Sequence, residues 1–135
     1  MDRLIQLLWI ALGSALGGTL RFVLDQLVPV MGGFPVATFA VNLSGSLLIG
    51  YLAGLWTRGK AAAPHPYKWH FWITGICGGY TTFSAFSWQV LELINLGEAQ
   101  VAAVYAAGSI ISGLCAVAIG LSLARMGIKE KSHES

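Results

Sequence analysis

Residues 78–87 read Gly-Gly-Tyr-Thr-Thr-Phe-Ser-Ala-Phe-Ser, and they lie within an uncharged run, Trp69–Leu91, that is long enough to cross a membrane. Two glycines followed by two β-branched threonines continue a helix poorly. A helix that breaks at membrane depth must satisfy its freed backbone groups, which is tolerated only where the break is buried in protein or lines a wet cavity. The run therefore predicts a broken helix that carries the function of the protein.

The composition around this run is that of an integral membrane protein. Of the 135 residues, 56% are hydrophobic and 10% are charged, whereas a soluble domain carries about 25% charged residues. Four uncharged runs approach or exceed the roughly 17 residues that a spanning helix needs: Leu4–Leu20, Gln26–Thr57, Trp69–Leu91 and Ala99–Ala124. We expect one all-α membrane domain over residues 1–135, with transmembrane helices at about 4–28, 35–57, 69–94 and 99–124.

The segments outside these runs are short. Residues 58–68 contain two prolines and are predicted to form a solvent loop. The last seven residues, from Lys129 onward, are polar and are predicted to fray. Since the four runs nearly exhaust the chain, we expect any activity to reside in the membrane or at its surface.

The chain contains no arrangement of side chains that predicts catalysis or a side-chain metal site. His65, His70 and His133 are scattered, and no cluster has metal-site spacing. Cys77 and Cys115 lie in apolar runs, where small core residues are the ordinary interpretation. The net charge of +2 is too small to indicate nucleic-acid binding. We therefore expect neither an enzyme nor a nucleic-acid-binding protein.

The few polar residues inside the runs are candidates for function. Asn42 lies in the middle of the second run, and an amide in hydrocarbon is costly unless it has partners, so it either bonds helices together or lines a polar path. Tyr105, Ser109 and Ser112 fall at i, i+4 and i+7 on one helical face. These three hydroxyls predict either a hydrogen-bonding track or bonds between helices.

Aromatic and charged residues narrow the interpretation. If the helix resumes after the break, Phe83 and Phe86 share a face beside it, either as core packing or as part of a path. Arg21 is a cation within a helical region, and it needs a carbonyl cluster, a carboxylate such as Asp25, or a wet vestibule. No carboxylate lies deep in a run, which argues against a proton-coupled or cation-coupled exporter. Together these features favour a passive route for an anion.

Small residues at helical spacing predict close helix packing. Gly13 and Gly17 form one such pair, and Ser46, Gly50 and Gly54 form a stripe at i, i+4 and i+8. Gly108 with Ser112, and Ser109 with Gly113, repeat the spacing. Such stripes let helix backbones approach and gain van der Waals contact. Because four short helices make a thin bundle, we expect dimerisation through some of these stripes.

Three motifs together closely resemble the Fluc (CrcB) fluoride-channel family: Gly-Gly-x-Thr-Thr-Phe-Ser-x-Phe-Ser at 78–87, Val-Asn-Leu-x-Gly at 41–45, and Gly-Gly-Thr-Leu-Arg-Phe at 17–22. The resemblance spans essentially the whole chain. It implies a dual-topology antiparallel dimer in the inner membrane, with two pores along the subunit interface. The implied activity is passive, fluoride-selective export of cytoplasmic fluoride, which protects the cell from fluoride toxicity.

The resemblance also implies roles for individual residues. The rings of Phe83 and Phe86 would line the path with their edges, which carry the positive end of the aromatic quadrupole. Asn42 would donate its amide to the ion, and Arg21 would attract anions at a vestibule. Further hydroxyls along the path would come from Thr82, Ser84, Tyr105, Ser109 and Ser112.

A central sodium ion is a further implication of the resemblance. The backbone carbonyls of Gly78 and Thr81, two from each subunit, would hold it, and four carbonyl oxygens suit a hard cation. The sodium ion would then be structural, at the dimer interface.

The distribution of basic residues does not fit this assembly easily. With both termini on one side, seven of the eight lysines and arginines share that side, and Arg21 alone lies toward the other. The positive-inside rule then favours one orientation, whereas an antiparallel homodimer needs both. We favour the homodimer, and a heterodimer with an oppositely oriented relative stays open.

Two other classes of function are considered. A small multidrug exporter is also an antiparallel dimer of four-helix chains, but that class needs a membrane-embedded glutamate in its first helix, and Leu4–Leu20 has none. A non-transporting assembly subunit would have no reason to combine Asn42, two phenylalanines and a helix break. The fluoride channel therefore remains the leading hypothesis.

Overall fold

The computed structural model describes residues 2–28, 33–58 and 66–133, and within these ranges the chain is almost entirely helical. The elements in chain order are α1 (Asp2–Leu27), α2 (Val36–Arg58), α3 (Pro66–Trp69), a π-helix (His70–Cys77), α4 (Gly78–Tyr80), α5 (Ser84–Asn95) and α6 (Ala99–His133). The predicted all-α class is confirmed. Most of the predicted loop at 58–68 lies outside the described residues.

Among the residues that the structure describes, three helices are long and apolar enough to cross a membrane. They cover Arg3–Leu27, Val36–Thr57 and Ala99–Met126, with mean hydropathies of 1.7, 1.6 and 2.0. Many of their large apolar side chains point away from the rest of the chain, for example Leu7, Leu16 and Ile111. In water such exposure would be unfavourable, whereas lipid solvates it. The chain is a multi-pass membrane protein.

Two of the predicted helices differ from the structure only at their ends, and the last one differs substantially. The helices predicted at 4–28 and 35–57 are observed as α1 and α2, each shifted by one or two residues. The helix predicted at 99–124 continues to His133, so the predicted fraying from Lys129 onward is wrong as far as position 133. Its polar extension contains Lys and Glu, which favour helices, and no proline that would end it.

The segment predicted as a third helix over 69–94 is divided into several pieces. It begins at Pro66 with α3, continues as the π-helix and α4, and leaves helical geometry at Thr81, whose φ and ψ are −76° and 157°. Helix resumes as α5. The predicted break is therefore observed, at residues 81–83, one residue after the two glycines.

One half of the molecule is the close pairing of α2 with α6. A Cβ atom added at Gly50 would collide with the backbone carbonyl of Val117, and one added at Gly120 would collide with the carbonyl of Leu47. One added at Gly54 would lie 2.7 Å from the Cβ of Ala124. Small residues on both helices therefore bring the two backbones into direct contact.

The other half pairs α1 with the π-helix and α4. A Cβ at Gly13 would lie 2.9 Å from the Cα of Gly75, and one at Gly17 would collide with the carbonyl of Ile76. The faces that carry Gly13, Gly17, Gly50 and Gly54 are thus already filled by the same chain. These four glycines are therefore not free to form the predicted dimer contact. A Cβ at Gly108 would meet nothing within 4 Å, so dimerisation through the stripe that contains Gly108 stays a prediction.

A small core packs α5 against the α2/α6 pair. Leu93, Ala102 and Tyr105 are buried together, and five partly buried residues pack on them: Phe34, Phe39, Phe86, Val90 and Val101. The turn between α5 and α6 closes this core, with Gly97 at a φ of 82° and the Glu98 amide donating to the Leu93 carbonyl. Gly favours this left-handed position because it has no Cβ.

Candidate functional site

The side chain of Asn42 holds the broken segment in place. Its Nδ2 atom donates to the Thr82 carbonyl at 2.9 Å, and its Oδ1 atom accepts from the Thr82 amide at 2.8 Å. The amide thus satisfies both backbone groups of one residue in the break. Each such bond contributes about 0.5–1.5 kcal/mol net, and leaving its buried partner unpaired costs about 1–3 kcal/mol. Of the two roles left open for Asn42, bonding between helices is therefore observed.

Two carbonyls lose their usual helical donors because of this arrangement. In a continuous helix the Thr82 amide would donate to Gly78, and the Ala85 amide would donate to Thr81. The Thr82 amide instead donates to Asn42, and the Ala85 amide donates to the Thr82 hydroxyl at 3.2 Å. The freed carbonyls include those of Gly78 and Thr81, the two residues predicted to hold a cation.

The hydroxyls of the break mainly support the backbone. The Thr81 hydroxyl donates to the Cys77 carbonyl at 2.9 Å, which closes the last turn before the break. Thr82 accepts from the Ala85 amide and so caps the start of α5, and its hydroxyl lies 3.2 Å from that of Ser84. The Thr82 and Ser84 side chains are therefore engaged with each other and with the cap.

A cavity of about 280 Å³ opens beside the break. It is formed where α2, the break, α5 and α6 meet, and it combines polar and aromatic groups with two isoleucines. The lining residues are Asn42, Ser46, Ile49, Thr81, Thr82, Phe83, Phe86, Ser109 and Ile110. Five of the eight residues predicted for the path line it: Asn42, Thr82, Phe83, Phe86 and Ser109.

The phenylalanines form an aromatic row along this cavity. The ring centroids of Phe83 and Phe86 are 5.8 Å apart with planes tilted by 38°, and those of Phe86 and Tyr105 are 5.2 Å apart. Phe86 is partly buried, whereas 79% of Phe83 is exposed. Ring edges carry partial positive charge, so the row can weakly attract a small anion in the place of water molecules.

Tyr105 lies on the far side of Phe86 rather than in the cavity. It is fully buried, and its hydroxyl donates to Gln89 Oε1 at 2.8 Å, while Gln89 Nε2 donates to Thr38 at 2.9 Å. The predicted track on α6 is therefore divided. Tyr105 belongs to a buried polar chain that reaches α2 through α5.

The two serines of the predicted track differ from each other. Ser109 lines the cavity, and within the described residues its shielded hydroxyl oxygen has no hydrogen-bond partner. The Ser112 hydroxyl donates to the carbonyl of Gly108 in its own helix at 2.6 Å. Of these two serines, Ser109 is therefore the one with a free hydroxyl at the cavity.

Arg21 lies away from this cavity, on the last two turns of α1. Its Nη1 atom is 3.4 Å from Asp25 Oδ2, and both side chains are 31% exposed. Its Nε atom is shielded and has no hydrogen-bond partner in the part of the chain that the structure describes. The carboxylate that the sequence suggested as a partner is thus the observed one, at a distance too long for a strong pair.

The family of the chain follows from comparison with known proteins. The sequence profile of the family described as "CrcB-like protein, Camphor Resistance (CrcB)" matches residues 8–121. The chain belongs to the CrcB family.

Curated CrcB relatives cover almost the whole chain. A protein of Chlorobium phaeobacteroides is 35% identical over 126 residues, which are 93% of this chain and 97% of its own length. One of Flavobacterium psychrophilum is 41% identical over 119 residues, covering 87% and 94%. One of Paramagnetospirillum magneticum is 42% identical over 114 residues, covering 82% and 88%. Each carries the name "Fluoride-specific ion channel FluC".

Three residues of this CrcB chain at or near the site were missed from sequence. Gln89 and Thr38 link Tyr105 to α2, and Ser46 lines the cavity one turn after Asn42. Gln89 carried a signal, because it is the one amide in the run Trp69–Leu91 and lies three residues after Phe86. Ser46 was interpreted only as a small packing residue, and its spacing of four from Asn42 indicated a shared face.

Proposed function

We propose that the chain is a fluoride-selective passive channel that exports cytoplasmic fluoride across the inner membrane and so protects the cell. The observation that carries this proposal is the break fastened by Asn42 beside the Phe83 and Phe86 rings, in one cavity with Ser109. The names of the relatives support it. Because those relatives are named ion channels, we propose no catalytic activity.

The driving force and selectivity have a simple physical basis. Hydrogen fluoride crosses membranes as a neutral acid and dissociates in the less acidic cytoplasm, and the trapped anion then follows the membrane potential outward. One charge gains about 2.3 kcal/mol per 100 mV. Fluoride is small and strongly hydrated, so the path must replace water with donors. Chloride is larger, and a narrow path excludes it by size.

The cavity offers donors of the required kind. Asn42 Nδ2 carries two N–H groups, and one of them donates to Thr82, which leaves the second for an ion. Ser46 and Ser109 line the same cavity, and within the described residues neither hydroxyl oxygen has a hydrogen-bond partner. We propose that fluoride passes these groups and the edges of Phe83 and Phe86.

The remaining path residues take supporting roles in this proposal. Thr82 and Ser84 shape the rim of the cavity through their mutual hydrogen bond. Tyr105 orients the Phe86 ring against which it packs. Ser112 contributes to the path only when its hydroxyl leaves the Gly108 carbonyl, and Arg21 attracts anions toward one end.

We further propose that the 66–95 segment is a fourth membrane crossing and that two chains pair in opposite orientations. Phe83 is 79% exposed on a single chain, next to an open cavity that a second copy would cover. The homodimer is the preferred form. Most lysines and arginines lie on one side of the membrane in this arrangement, which favours a single orientation and opposes the homodimer. A heterodimer with an oppositely oriented relative is the alternative.

A structural sodium ion fits the residues at the break. The carbonyls of Gly78 and Thr81 have lost their helical donors, because those donors serve Asn42 and Thr82. Two such carbonyls from each of two chains would supply four oxygen ligands, which suit a hard cation. The ion would neutralise the carbonyl dipoles between the chains.

A cellular measurement separates this function from the alternatives. A bacterium that lacks its own fluoride exporter is given the gene, and growth and internal fluoride are measured in medium containing fluoride. We expect restored growth and lowered internal fluoride, with no change in resistance to cationic drugs. Drug resistance without fluoride resistance would favour a multidrug exporter, and neither effect would favour an assembly subunit.

A further inference from the structure

A cavity of about 330 Å³, separate from the one beside the break, lies between the beginning of α1 and the beginning of the 66–95 segment. The lining residues are Trp9, Tyr67, Lys68, Phe71 and Trp72. The rings of Trp9 and Tyr67 stack with centroids 6.4 Å apart, and the Trp9 and Phe71 rings meet edge to face with centroids 5.6 Å apart. Aromatic rings therefore form the walls, and among the described lining residues Lys68 is the charged one.

The cavity lies at the depth where the membrane meets water. Arg3 begins the apolar span of α1, and Trp9 follows it by six residues, which is roughly 9 Å of helix. The headgroup region is about 5–7 Å thick on each side of the hydrocarbon core, and Trp and Tyr are enriched at this boundary. Lys68 is exposed and adjoins Tyr67, and a lysine stem extends its charge toward the headgroups.

This end of the molecule is basic beyond Lys68. Trp56, close to the end of α2, contacts Trp69 beside the cavity. The α6 helix packs along α2, and its Arg125 is exposed at the same end. Within the described residues neither Lys68 nor Arg125 forms an ion pair. An unpaired ammonium group next to apolar rings offers a phosphate both charge and hydrogen-bond donors.

An apolar face of α1 continues from the cavity toward the membrane interior. Trp9, Leu12 and Leu16 lie at i, i+3 and i+7, so they share this face. They are 39%, 57% and 58% exposed, and together they extend roughly 10 Å along the helix. A cation at headgroup depth with an apolar face beneath it fits a lipid that carries a negative headgroup and acyl chains.

The proposed second copy of the chain would cover a different part of the 66–95 segment. Phe83 and the break follow Phe71 by twelve residues, which is up to roughly 18 Å of helix. The break therefore lies near the middle of the membrane, whereas the aromatic cavity lies at its surface. This position favours lipid over protein as the occupant of the cavity.

We propose that this cavity binds one anionic phospholipid, with the phosphate at Lys68 and an acyl chain along Trp9, Leu12 and Leu16. The inference goes beyond the proposed channel function and does not depend on it. Lys68 selects lipids by charge, and the rings hold the part of the lipid that anionic and zwitterionic species share.

The test is native mass spectrometry of the purified full chain in mild detergent, with equal amounts of phosphatidylglycerol and phosphatidylcholine added. We expect wild type to retain phosphatidylglycerol in preference. Lys68→Gln should retain it about fivefold less tightly, with unchanged retention of phosphatidylcholine and with recovery in Lys68→Arg. Arg125→Gln is the matched control, because it removes an exposed cation at the same end that does not line the cavity, and its retention should change less than about twofold.

A second pair of variants tests the aromatic walls. Trp9→Leu should weaken the retention of both lipids by about threefold or more, because it removes a ring that contacts their shared part. Trp88→Leu, at a 65% exposed position outside the cavity, should change neither. Gel filtration checks folding, and Trp72→Leu, at a 43% exposed position in the cavity, takes the place of Trp9→Leu if that variant does not fold.

The possible outcomes are distinct. Equal retention of phosphatidylglycerol by wild type and Lys68→Gln would overturn the proposal, and so would an equal loss in Lys68→Gln and Arg125→Gln, since net charge would then explain the binding. Loss of dimer in Lys68→Gln and Trp9→Leu without loss of lipid would assign the surface to a contact between copies instead. Fluoride efflux is measured separately, so a chain that retains the lipid but carries no fluoride would refute the channel function alone.

Discussion

Glycines in the α2/α6 pair and in the 66–95 segment both allow close helix packing, but only those of the segment are followed by a break in the helix. In the pair, Gly50 and Gly120 lie inside continuous helices, and their missing side chains let two backbones touch. In the segment, a Cβ at Gly79 would lie 2.8 Å from the Cα of Ser14 on α1, and the helix ends after the next residue, Tyr80. The sequence neighbours decide the result, because apolar residues follow the first two glycines and β-branched threonines follow soon after Gly79.

The comparison shows how the continuous α2/α6 pair supports the irregular backbone of the 66–95 segment. The α2 helix supplies Asn42, which bonds the backbone of the break twice, and α6 supplies Ser109 and the Tyr105 ring. Because α2 and α6 are held at close distance by glycine contacts, these side chains have fixed positions. The irregular backbone then needs few bonds of its own, and its carbonyls remain available.

Replacing Phe86 with Ile should give the largest change, and it tests whether the break is a conducting element. The substitution keeps an apolar side chain but removes the ring edge and the contact with Tyr105. We expect fluoride efflux from liposomes to fall at least about 100-fold, equivalent to about 2.7 kcal/mol, while the protein remains folded. Phe22→Ile, at an exposed position on α1, is the control. Wild-type flux through Phe86→Ile would rule out a path lined by rings.

Replacing Asn42 with Asp tests the link between α2 and the break in the 66–95 segment. A carboxylate still accepts from the Thr82 amide, but it cannot donate to the Thr82 carbonyl and it repels an anion. We expect about tenfold slower efflux and a loss of about 1–3 kcal/mol in stability from the unpaired carbonyl. The measurements are efflux and thermal unfolding in detergent, with Gln100→Glu on an exposed part of α6 as control. Unchanged flux at neutral pH would reduce Asn42 to a structural role.

Replacing Gly120 with Ala tests the packing of the α2/α6 pair alone. The new Cβ would collide with the Leu47 carbonyl and lie 2.7 Å from the Tyr51 nitrogen, so backbone must move. We expect a lower midpoint of thermal unfolding in detergent, corresponding to about 1–3 kcal/mol. Gly18→Ala is the matched control, because its nearest neighbour would be the Gly79 oxygen at an ordinary 3.8 Å. Equal midpoints for the two variants would contradict the packing account.

Replacing Ser46 with Ala should have the smallest effect. The substitution removes one of the donors at the cavity and leaves the close contact between α2 and α6 intact. We expect efflux about threefold slower than wild type, with full recovery in Ser46→Thr, which keeps a hydroxyl. Ser122→Ala removes a hydroxyl that bonds its own helix at the Ala118 carbonyl and should leave efflux unchanged. Efflux from Ser46→Ala equal to that of wild type would show that Ser46 is not part of the path.

Much of the fold was predictable from the sequence because lipid imposes strong constraints. Uncharged runs gave α1 and α2 to within two residues, and the Gly-Gly-Tyr-Thr-Thr stretch gave the position of the break. The partner of each glycine was not predictable, since the same stripe fits another helix of the chain or a second chain. The extension of α6 beyond 124 was missed because it lies outside the apolar run.

Part of the candidate site was also predictable, from motifs and from helical spacing. The motifs identified Asn42, Phe83 and Phe86, and helical spacing identified Ser109, which lines the same cavity. Helical spacing placed Ser112 with Ser109, but spacing does not show that a serine bonds its own helix, as Ser112 does. The bond from Gln89 to Thr38 joins residues 51 apart in sequence, and no local pattern indicates it.

The most direct test of the account is fluoride and chloride efflux from liposomes that contain only the purified wild-type chain. Ion-selective electrodes record both anions after a potassium ionophore allows charge balance. We expect rapid fluoride release and no chloride release above that of protein-free vesicles. Release of both anions, or of neither, would contradict the central claim that the Asn42-fastened break and its phenylalanine rings form a fluoride-selective path.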